Sequence, residues 1–414
     1  MTPELLSPAG NREKLEAAIR YGADAVYMAG NAFGMRAAAD NFSLPELKDA
    51  VAYAHKNGAL AYITVNTMPR EHEYPYLKEY LAALRDVKPD ALIVADIGVF
   101  MLAKEILPEI ELHVSTQANT VSAQTCRAWH ALGAKRVVLA RELTIDEIKA
   151  IRAGIPDDLE LEAFVHGAMC ISYSGRCLLS NFFTGRDGNR GACAQPCRWN
   201  YKAVRFEIEE EKRPDLPLTM IEEGGETFIM SSRDTCMIEH IPELMESGIN
   251  SFKIEGRMKS AYYAAVTTNT YRMAIDAYLA KRPYVYDPSW MRELTSVSHR
   301  EYGTGYYFDS SKENANTTAD TGYLRDKAYL ATVLSYDETT KEALCIQKNK
   351  MRVGESAELL TPGRIGMPFA CTELWDEEHH SITSTPHPYM KFYIKMPFAV
   401  KEGDIIRGSE GEKR

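Results

Sequence analysis

Hydrophobic and polar positions follow two periods along this chain, and the texture changes once, near residue 326. Residues 4–7, Glu-Leu-Leu-Ser, form a short apolar run closed by Pro8-Ala9-Gly10, the pattern of a strand and its turn. Asn11 then stands where a helix cap is wanted, ahead of Leu15, Ala18 and Ile19 at helical spacing. Gly22 stops that helix, and 25–28 reads as the next strand. The cycle repeats, with helices over 44–56, 76–85, 99–107, 123–132 and 145–152, and strands over 60–65, 91–95, 112–114, 136–140 and 159–165. Seven strands alternating with helices predict parallel βα units. The eighth strand, 251–254, is delayed. A helix over 238–245 precedes it and a long amphipathic helix over 262–279 follows.

Eight such units predict an α/β chain with a (β/α)8 TIM-like barrel over 1–285, with an open doubly wound sheet as the alternative. The delay before strand eight is a cysteine-rich loop and hairpin insertion over 166–232, whose acidic, turn-rich part at 206–227 reads as the hairpin. Residues 286–325, rich in aromatics with Asn, Ser and Gly, read as a linker. Short strands then recur at 329–336, 342–347, 356–360, 370–374, 391–395 and 404–406, separated by turns such as Thr361-Pro362-Gly363. They predict a small C-terminal antiparallel β-barrel over 326–414.

The formal charge of −10 argues against broad non-specific binding to nucleic acid and leaves only local basic patches for it. Hydrophobic residues make up 45 % of the chain, as in globular proteins, and no run approaches the ~20 apolar residues of a membrane span. The opening MTPELLSPAG has neither a basic nor an apolar leader region, so a cytoplasmic protein with no membrane partner is expected.

Four of the eight cysteines, Cys170, Cys177, Cys193 and Cys197, fall in one stretch with the spacing C-x6-C-x15-C-x3-C. Gly, Ser, Asn and Pro fill the gaps, so backbone can wrap a small object. From His166 to Arg205 the chain carries Arg176, Arg186, Arg190, Arg198, Lys202 and Arg205 against Asp187 alone, a local net charge of +5. Disulfides suit secreted chains, and structural zinc usually shows paired short spacings such as C-x2-C. An iron–sulfur cluster tolerates looser spacing, because each cysteine places one thiolate at one corner. The residues leave cluster, zinc and scattered core cysteines open. Cys126, Cys236, Cys345 and Cys371 lie in apolar runs and read as small buried hydrophobes.

The segments FVHGAMCISYSGRCLLS and GRDGNRGACAQPCRW, with SFKIEGRMKS downstream, resemble peptidase family U32, the collagenase-like peptidases. Within it the likeness is to the branch that hydroxylates tRNA in the prephenate-dependent wobble-uridine pathway. The resemblance implies a [4Fe–4S] cluster on Cys170, Cys177, Cys193 and Cys197, prephenate as co-substrate, tRNA as substrate and room for a paralogous partner subunit.

In such a barrel the C-terminal strand ends build the site. The residues there are Ser7, Gly10, Arg36, Asn66, Asp96, Ser115-Thr116-Gln117, Arg141-Glu142, His166, Lys253, Glu255 and Arg257. His166, Arg141, Glu255 and Arg257 are the catalytic candidates. Arg36, Arg186, Arg190 and Arg198 are candidates for holding prephenate or RNA phosphates, since arginine is the best carboxylate and phosphate fork. His166 is read as a proton donor or a partner of the cysteine-held group, with an orienting histidine as the alternative. An Arg141–Glu142 salt bridge closing the barrel end is the bland reading of that pair. Tyr173, Phe182, Phe183, Trp199 and Tyr201 interleave with the loop's positive charge, as base-stacking surfaces do, although packing beneath the loop is the ordinary role of such rings. The chain has no H-E-x-x-H, no G-x-S-x-G and no cysteine-protease signature. Three functions follow. The first is a tRNA hydroxylase that uses the cluster to convert wobble uridine to 5-hydroxyuridine. The second is a collagenase-like peptidase, and the third a non-catalytic scaffold around a structural metal.

Overall fold

The computed structural model describes residues 2–35, 40–170, 172–199, 222–223, 226–227, 232–280, 283–308 and 324–409, with the side chains of Arg198, Glu222, Glu223, Glu226 and Thr227 excepted. Strands and helices alternate as the periodicity predicts. They are β1 (Glu4–Pro8), α1 (Arg12–Arg20), β2 (Ala25–Met28), α2 (Leu44–Lys56), β3 (Leu60–Val65), α3 (Tyr74–Val87), β4 (Ala91–Val94), α4 (Ile97–Ile106), β5 (Glu111–Val114), α5 (Ala123–Leu132), β6 (Arg136–Val138), α6 (Ile145–Ala153) and β7 (Glu160–Ala168). The caps are local chemistry. Asn11 accepts from the Lys14 amide, and Ser43 and Thr144 close capping boxes with Glu46 and Glu147.

After β7 come α7 (Leu179–Thr184), the two-residue strands β8 (Glu222–Glu223) and β9 (Glu226–Thr227), β10 (Asp234–Cys236), α8 (Ile241–Glu246), β11 (Ser251–Ile254) and α9 (Ala261–Ala280). β11 pairs in parallel with both β1 and β7, so eight parallel strands close into a barrel. The closed barrel excludes the open doubly wound alternative. β10 adds antiparallel to β7 outside the ring. Of the hairpin expected at 206–227, β8 and β9 pair antiparallel and the rest lies outside the described residues.

Period-2 alternation sorts the barrel side chains. Leu5, Val26, Ile63, Leu92 and Phe252 join the main core under the helices. Leu6, Ala25, Tyr27, Tyr62, Ala91 and Ile93 form a separate cluster inside the ring. Also inside, Glu162 stands between Lys253 Nζ (2.6 Å) and Arg136 Nη1 (3.2 Å), and Arg136 also reaches Glu4 at 2.6 Å. Glu162 is wholly buried, and its carboxyl is nonetheless held below the ordinary range because these two cations outweigh desolvation.

Within 286–325, the stretch expected to be a linker, lie α10 (Ser289–Thr295) and β12 (Tyr302–Gly303), and Trp290, Leu294 and Val297 pack into the barrel core. The helix is seven residues long, too short for its period to stand out among the surrounding aromatics. The C-terminal unit is an antiparallel sheet of eight strands, β13 (Tyr329–Asp337), β14 (Glu342–Gln347), β15 (Ser356–Leu360), β16 (Met367–Ala370), β17 (Leu374–Trp375), β18 (Ser381–Ile382), β19 (Lys391–Lys395) and β20 (Ile405–Gly408). Their order is β16-β15-β20-β13-β14-β19-β17-β18, a half-barrel around its own core of Leu330, Val333, Cys345, Phe392 and Ile394. Fully buried Arg407 fastens it to the barrel through Glu293 of α10 (2.7 Å) and also pairs with Glu358 (2.8 Å).

Candidate functional site

The loops leaving the C-terminal strand ends share one side of the barrel, and the cysteine-rich segment that continues β7 lies across them. Arg190 Nη2 pairs with Glu73 Oε1 at 2.5 Å in the loop after β3. Asn119, in the loop after β5, donates to Ser174 O at 2.9 Å and accepts from Arg176 Nε at 2.8 Å. At Gly191 the backbone has φ +88° and a Cβ would sit 2.9 Å from Gly34 O, in the loop after β2, so only glycine fits this crossing. Three barrel loops therefore hold the segment down.

Inside the segment short-range bonds set the thiols. Asn189 donates to Cys177 O at 2.9 Å and accepts from the Cys177 amide at 3.2 Å. Buried Ser180 accepts from the Ala194 amide at 2.9 Å, and Cys193 Sγ accepts from the Gln195 amide at 3.4 Å. None of the four cysteines is in a disulfide, and Cys170 and Cys193 are exposed while Cys177 and Cys197 are half-buried. The other four are buried. Desolvation pushes the Cys126 thiol up to about 11 and those of Cys236 and Cys371 up to about 12, and drives Cys345 higher still. Thiols so raised stay protonated and are poor ligands or nucleophiles.

Among the described residues the one set of three His, Cys, Asp or Glu side chains close enough to share a single ion is Asp376, Glu378 and His380, in a surface turn. No three of the loop thiols approach each other that closely. A single tetrahedral ion needs such an approach, whereas a cubane cluster offers a separate iron to each thiolate. Four cysteines outside the sealed core in one loop are the donor set that the second group takes.

Beneath the loop the barrel mouth is cationic. Arg257, buried at the end of β11, donates through Nη1 to Thr64 Oγ1 (3.0 Å) and through Nη2 to Asn41 Oδ1 (2.8 Å). Its backbone oxygen accepts from Lys14 Nζ at 3.3 Å. Burial lowers the Lys14 pKa, against the pull of Asp40 and Glu13. Arg141 lies 3.9 Å over the Phe164 ring, donates to Ala168 O at 2.8 Å and faces Glu255 Oε2 at 3.8 Å. Its acid partner is thus Glu255 rather than Glu142, whose pKa is raised by burial. Asn66 bridges Met35 N and Ser115 Oγ, while Asp96 and Ser115 cap the turns that follow their strands.

Several residues read into the mouth lie elsewhere. Ser7 points outward and bonds Thr268 of α9 at 2.7 Å. Lys253 belongs to the ion group inside the ring. His166 is turned away by a register shift between β7 and β11. Lys253 pairs with Phe164 but Ile254 pairs with His166, so Val165 is the extra residue of a bulge. The ring then sits against Tyr263, Tyr271 and Tyr302, with Nδ1 3.5 Å from Tyr271 Oη and no hydrogen-bond partner for Nε2 among the described residues. Burial, then the charges of His299 and Lys259, pushes its pKa down to about 3, so it is neutral at pH 7 and no ready acid.

Arg186 is exposed, as a phosphate contact requires, whereas Arg190 is engaged as a tether. Arg36, Tyr201 and the side chain of Arg198 lie outside the described residues. Sequence reading missed Glu73, Asn119, Asn189, Thr64, Asn41 and Lys14. None lies in a motif that announces its partner; only Asn189, within GNRG between the cysteines, carried a local cue.

The description Peptidase family U32 matches residues 10–317, and that of the family's C-terminal domain matches residues 325–407. The chain is 36 % identical over 406 residues to the tRNA hydroxylation protein P1 of Bacillus subtilis strain 168, covering 98 % of this chain and 94 % of that one. It is 37 % identical over 284 residues to the 23S rRNA 5-hydroxycytidine C2501 synthase of Escherichia coli K12, covering 67 % of this chain and 40 % of that one. It is also 31 % identical over 374 residues to a collagenase of Porphyromonas gingivalis W83, covering 87 % and 86 %. With both family regions matched in order along the two folded units just described, the chain belongs to peptidase family U32.

Proposed function

We propose that this protein is an RNA-modifying enzyme that converts the wobble uridine of tRNA to 5-hydroxyuridine without molecular oxygen, uses prephenate as co-substrate and acts in the cytoplasm. One observation carries the reading: four accessible thiols and an outward arginine share a loop that is fastened over a cationic barrel mouth. The reaction class comes from two relatives, one named for tRNA hydroxylation and one for making 5-hydroxycytidine in 23S rRNA. No helix among the described residues is long and apolar enough to cross a membrane.

Cys170, Cys177, Cys193 and Cys197 would hold a [4Fe–4S] cluster, which supplies one-electron chemistry when bound. The chain's own residues bind and orient. Thr64 and Asn41 fix the Arg257 guanidinium, and Arg141 supplies a second cation, so two carboxylates of a small co-substrate meet two forks. Their attraction is stronger in a mouth that the loop shields from water. Glu255, beside Arg141, is placed to accept a proton. The collagenase relative favours a second reading, peptide hydrolysis. Against it, His166 is buried among tyrosines and bonds no serine or cysteine among the described residues.

The test is tRNA nucleoside analysis in cells lacking the gene, complemented with wild type, Arg257→Lys or Cys177→Ala. Wild type should restore 5-hydroxyuridine derivatives. Both variants should restore little, since lysine keeps the charge but loses the fork. Deleting any paralogous chain in the same cells tests for a partner subunit. Unchanged nucleosides after loss of the gene and its paralogues would sink the hydroxylase reading and leave peptide cleavage to be assayed.

A further inference from the structure

The cysteine loop exposes rings where a folded chain ordinarily hides them. Phe182 is 82 % exposed, Leu178 73 %, Phe183 and Tyr173 each 50 %, and Trp199 37 %. Phe182 and Phe183 stand edge to face with centroids 5.2 Å apart, and the Trp199 ring lies 6.2 Å from Phe183. The patch is braced from below. α7, which carries both phenylalanines, is pinned by buried Ser180 to the Ala194 amide, and Trp199 Nε1 donates to Ala194 O at 3.1 Å. Thr184 accepts from the Arg186 amide at 3.2 Å, which fixes the turn that carries exposed Arg186 just past the end of α7. Contiguous exposed apolar surface of this kind marks a contact site.

Its charge selects the occupant. The stretch from His166 to Arg205 carries a net +5 in a chain of −10. Its single acid, Asp187, is turned inward to accept from the Asn189 amide. A polyanion with flat faces matches both features, since its bases stack on rings and its phosphates pair with arginine.

We propose that Phe182, Phe183 and Trp199 form a stacking platform for unpaired bases of an RNA loop, with Arg186 holding an adjacent phosphate. The proposal rests on the RNA reading above and adds the selection of single-stranded over paired RNA. A duplex buries its base faces in its own stack and offers the platform only phosphates. Phe182 and Phe183 lie between Cys177 and Cys193 in sequence, Trp199 follows Cys197, and the platform is built on the same bonds as the cysteine loop, so a base stacked there is held on the segment that carries the thiols.

The test is equilibrium binding of the full chain to a synthetic anticodon stem-loop and to a blunt duplex of equal length, for wild type, Phe182→Leu and Phe182→Ala with Phe183→Ala. Wild type should prefer the stem-loop. The double variant should lose about tenfold or more of that affinity, as removal of a stacked base predicts, with duplex binding unchanged. Phe182→Leu keeps apolar area without a π-face and controls for folding, so it should also bind the stem-loop more weakly while melting like wild type. Stem-loop affinity unchanged in both variants overturns the platform and leaves the RNA reading standing. So does a dimeric wild type that the double variant makes monomeric, since the rings then serve a second copy. Failure of wild type to bind either RNA overturns both proposals.

Discussion

The barrel body and the cysteine loop use the same residue types in opposite ways. In the body, charges inside the ring are paired, with Lys253 and Arg136 on either side of Glu162. Its cysteines are sealed under apolar side chains, where burial keeps them protonated. In the loop, the four cysteines are exposed or half-buried, Arg186 faces solvent, and rings point outward. Chemical identity is therefore a poor guide to role in this chain. What differs is desolvation, severe in the body and slight in the loop.

The comparison breaks most sharply at the thiols. Cys177→Ala should strip nearly all iron from anaerobically purified protein, whereas Cys345→Ala should keep it and cost about 1 kcal/mol of stability, as removal of a small buried group does. Iron and sulfide analysis together with denaturant melts checks both halves. Stoichiometric zinc without iron in the wild type would end the cluster proposal.

The mirror experiment strikes the body. Glu162→Ala takes from Lys253 its acid partner inside the ring, while Arg136 keeps Glu4, and should cost about 3–5 kcal/mol in urea unfolding. Folded protein should still carry its iron. Loss of iron in step with stability would mean that loop and body are one cooperative unit.

A pH series separates the regions again. His166 is held near pKa 3 in the fold against 6.5 when unfolded. Unfolding therefore takes up a proton below pH 6.5, and this histidine's contribution to stability is full above that pH and shrinks as pH falls toward 3. The effect is on the order of a few kcal/mol at the acid end. His166→Phe should flatten that part of the acid limb in urea midpoints measured against pH, and an unchanged limb would refute the assignment.

The smallest expected effect is at the seam. Arg190 and Glu73 are each about a quarter exposed, so Arg190→Ala should cost about 0–1 kcal/mol globally. Amide hydrogen exchange should nonetheless speed up locally between Cys177 and Cys193. Slow exchange there in the variant would show that Asn119 and Gly191 suffice as anchors.

The sequence by itself determined the barrel. Alternation of period 2 with helical periods, caps such as Asn11, Ser43 and Thr144, and the delayed strand β11 are local signals, because each depends on neighbours within a few residues. It also marked the four loop cysteines and the outward arginine, since spacing and charge run are properties of one stretch. Only the tertiary structure decided which polar groups meet. One extra residue at Val165 moves His166 from the mouth to a tyrosine pocket behind it, and no local pattern registers a bulge against a strand some 90 residues away. Arg190 became a tether because Glu73 lies across the mouth, and 289–295 became part of the core because Arg407 and the barrel close over it. Such pairings depend on distances that chain closure sets, and the period of a strand carries no record of them.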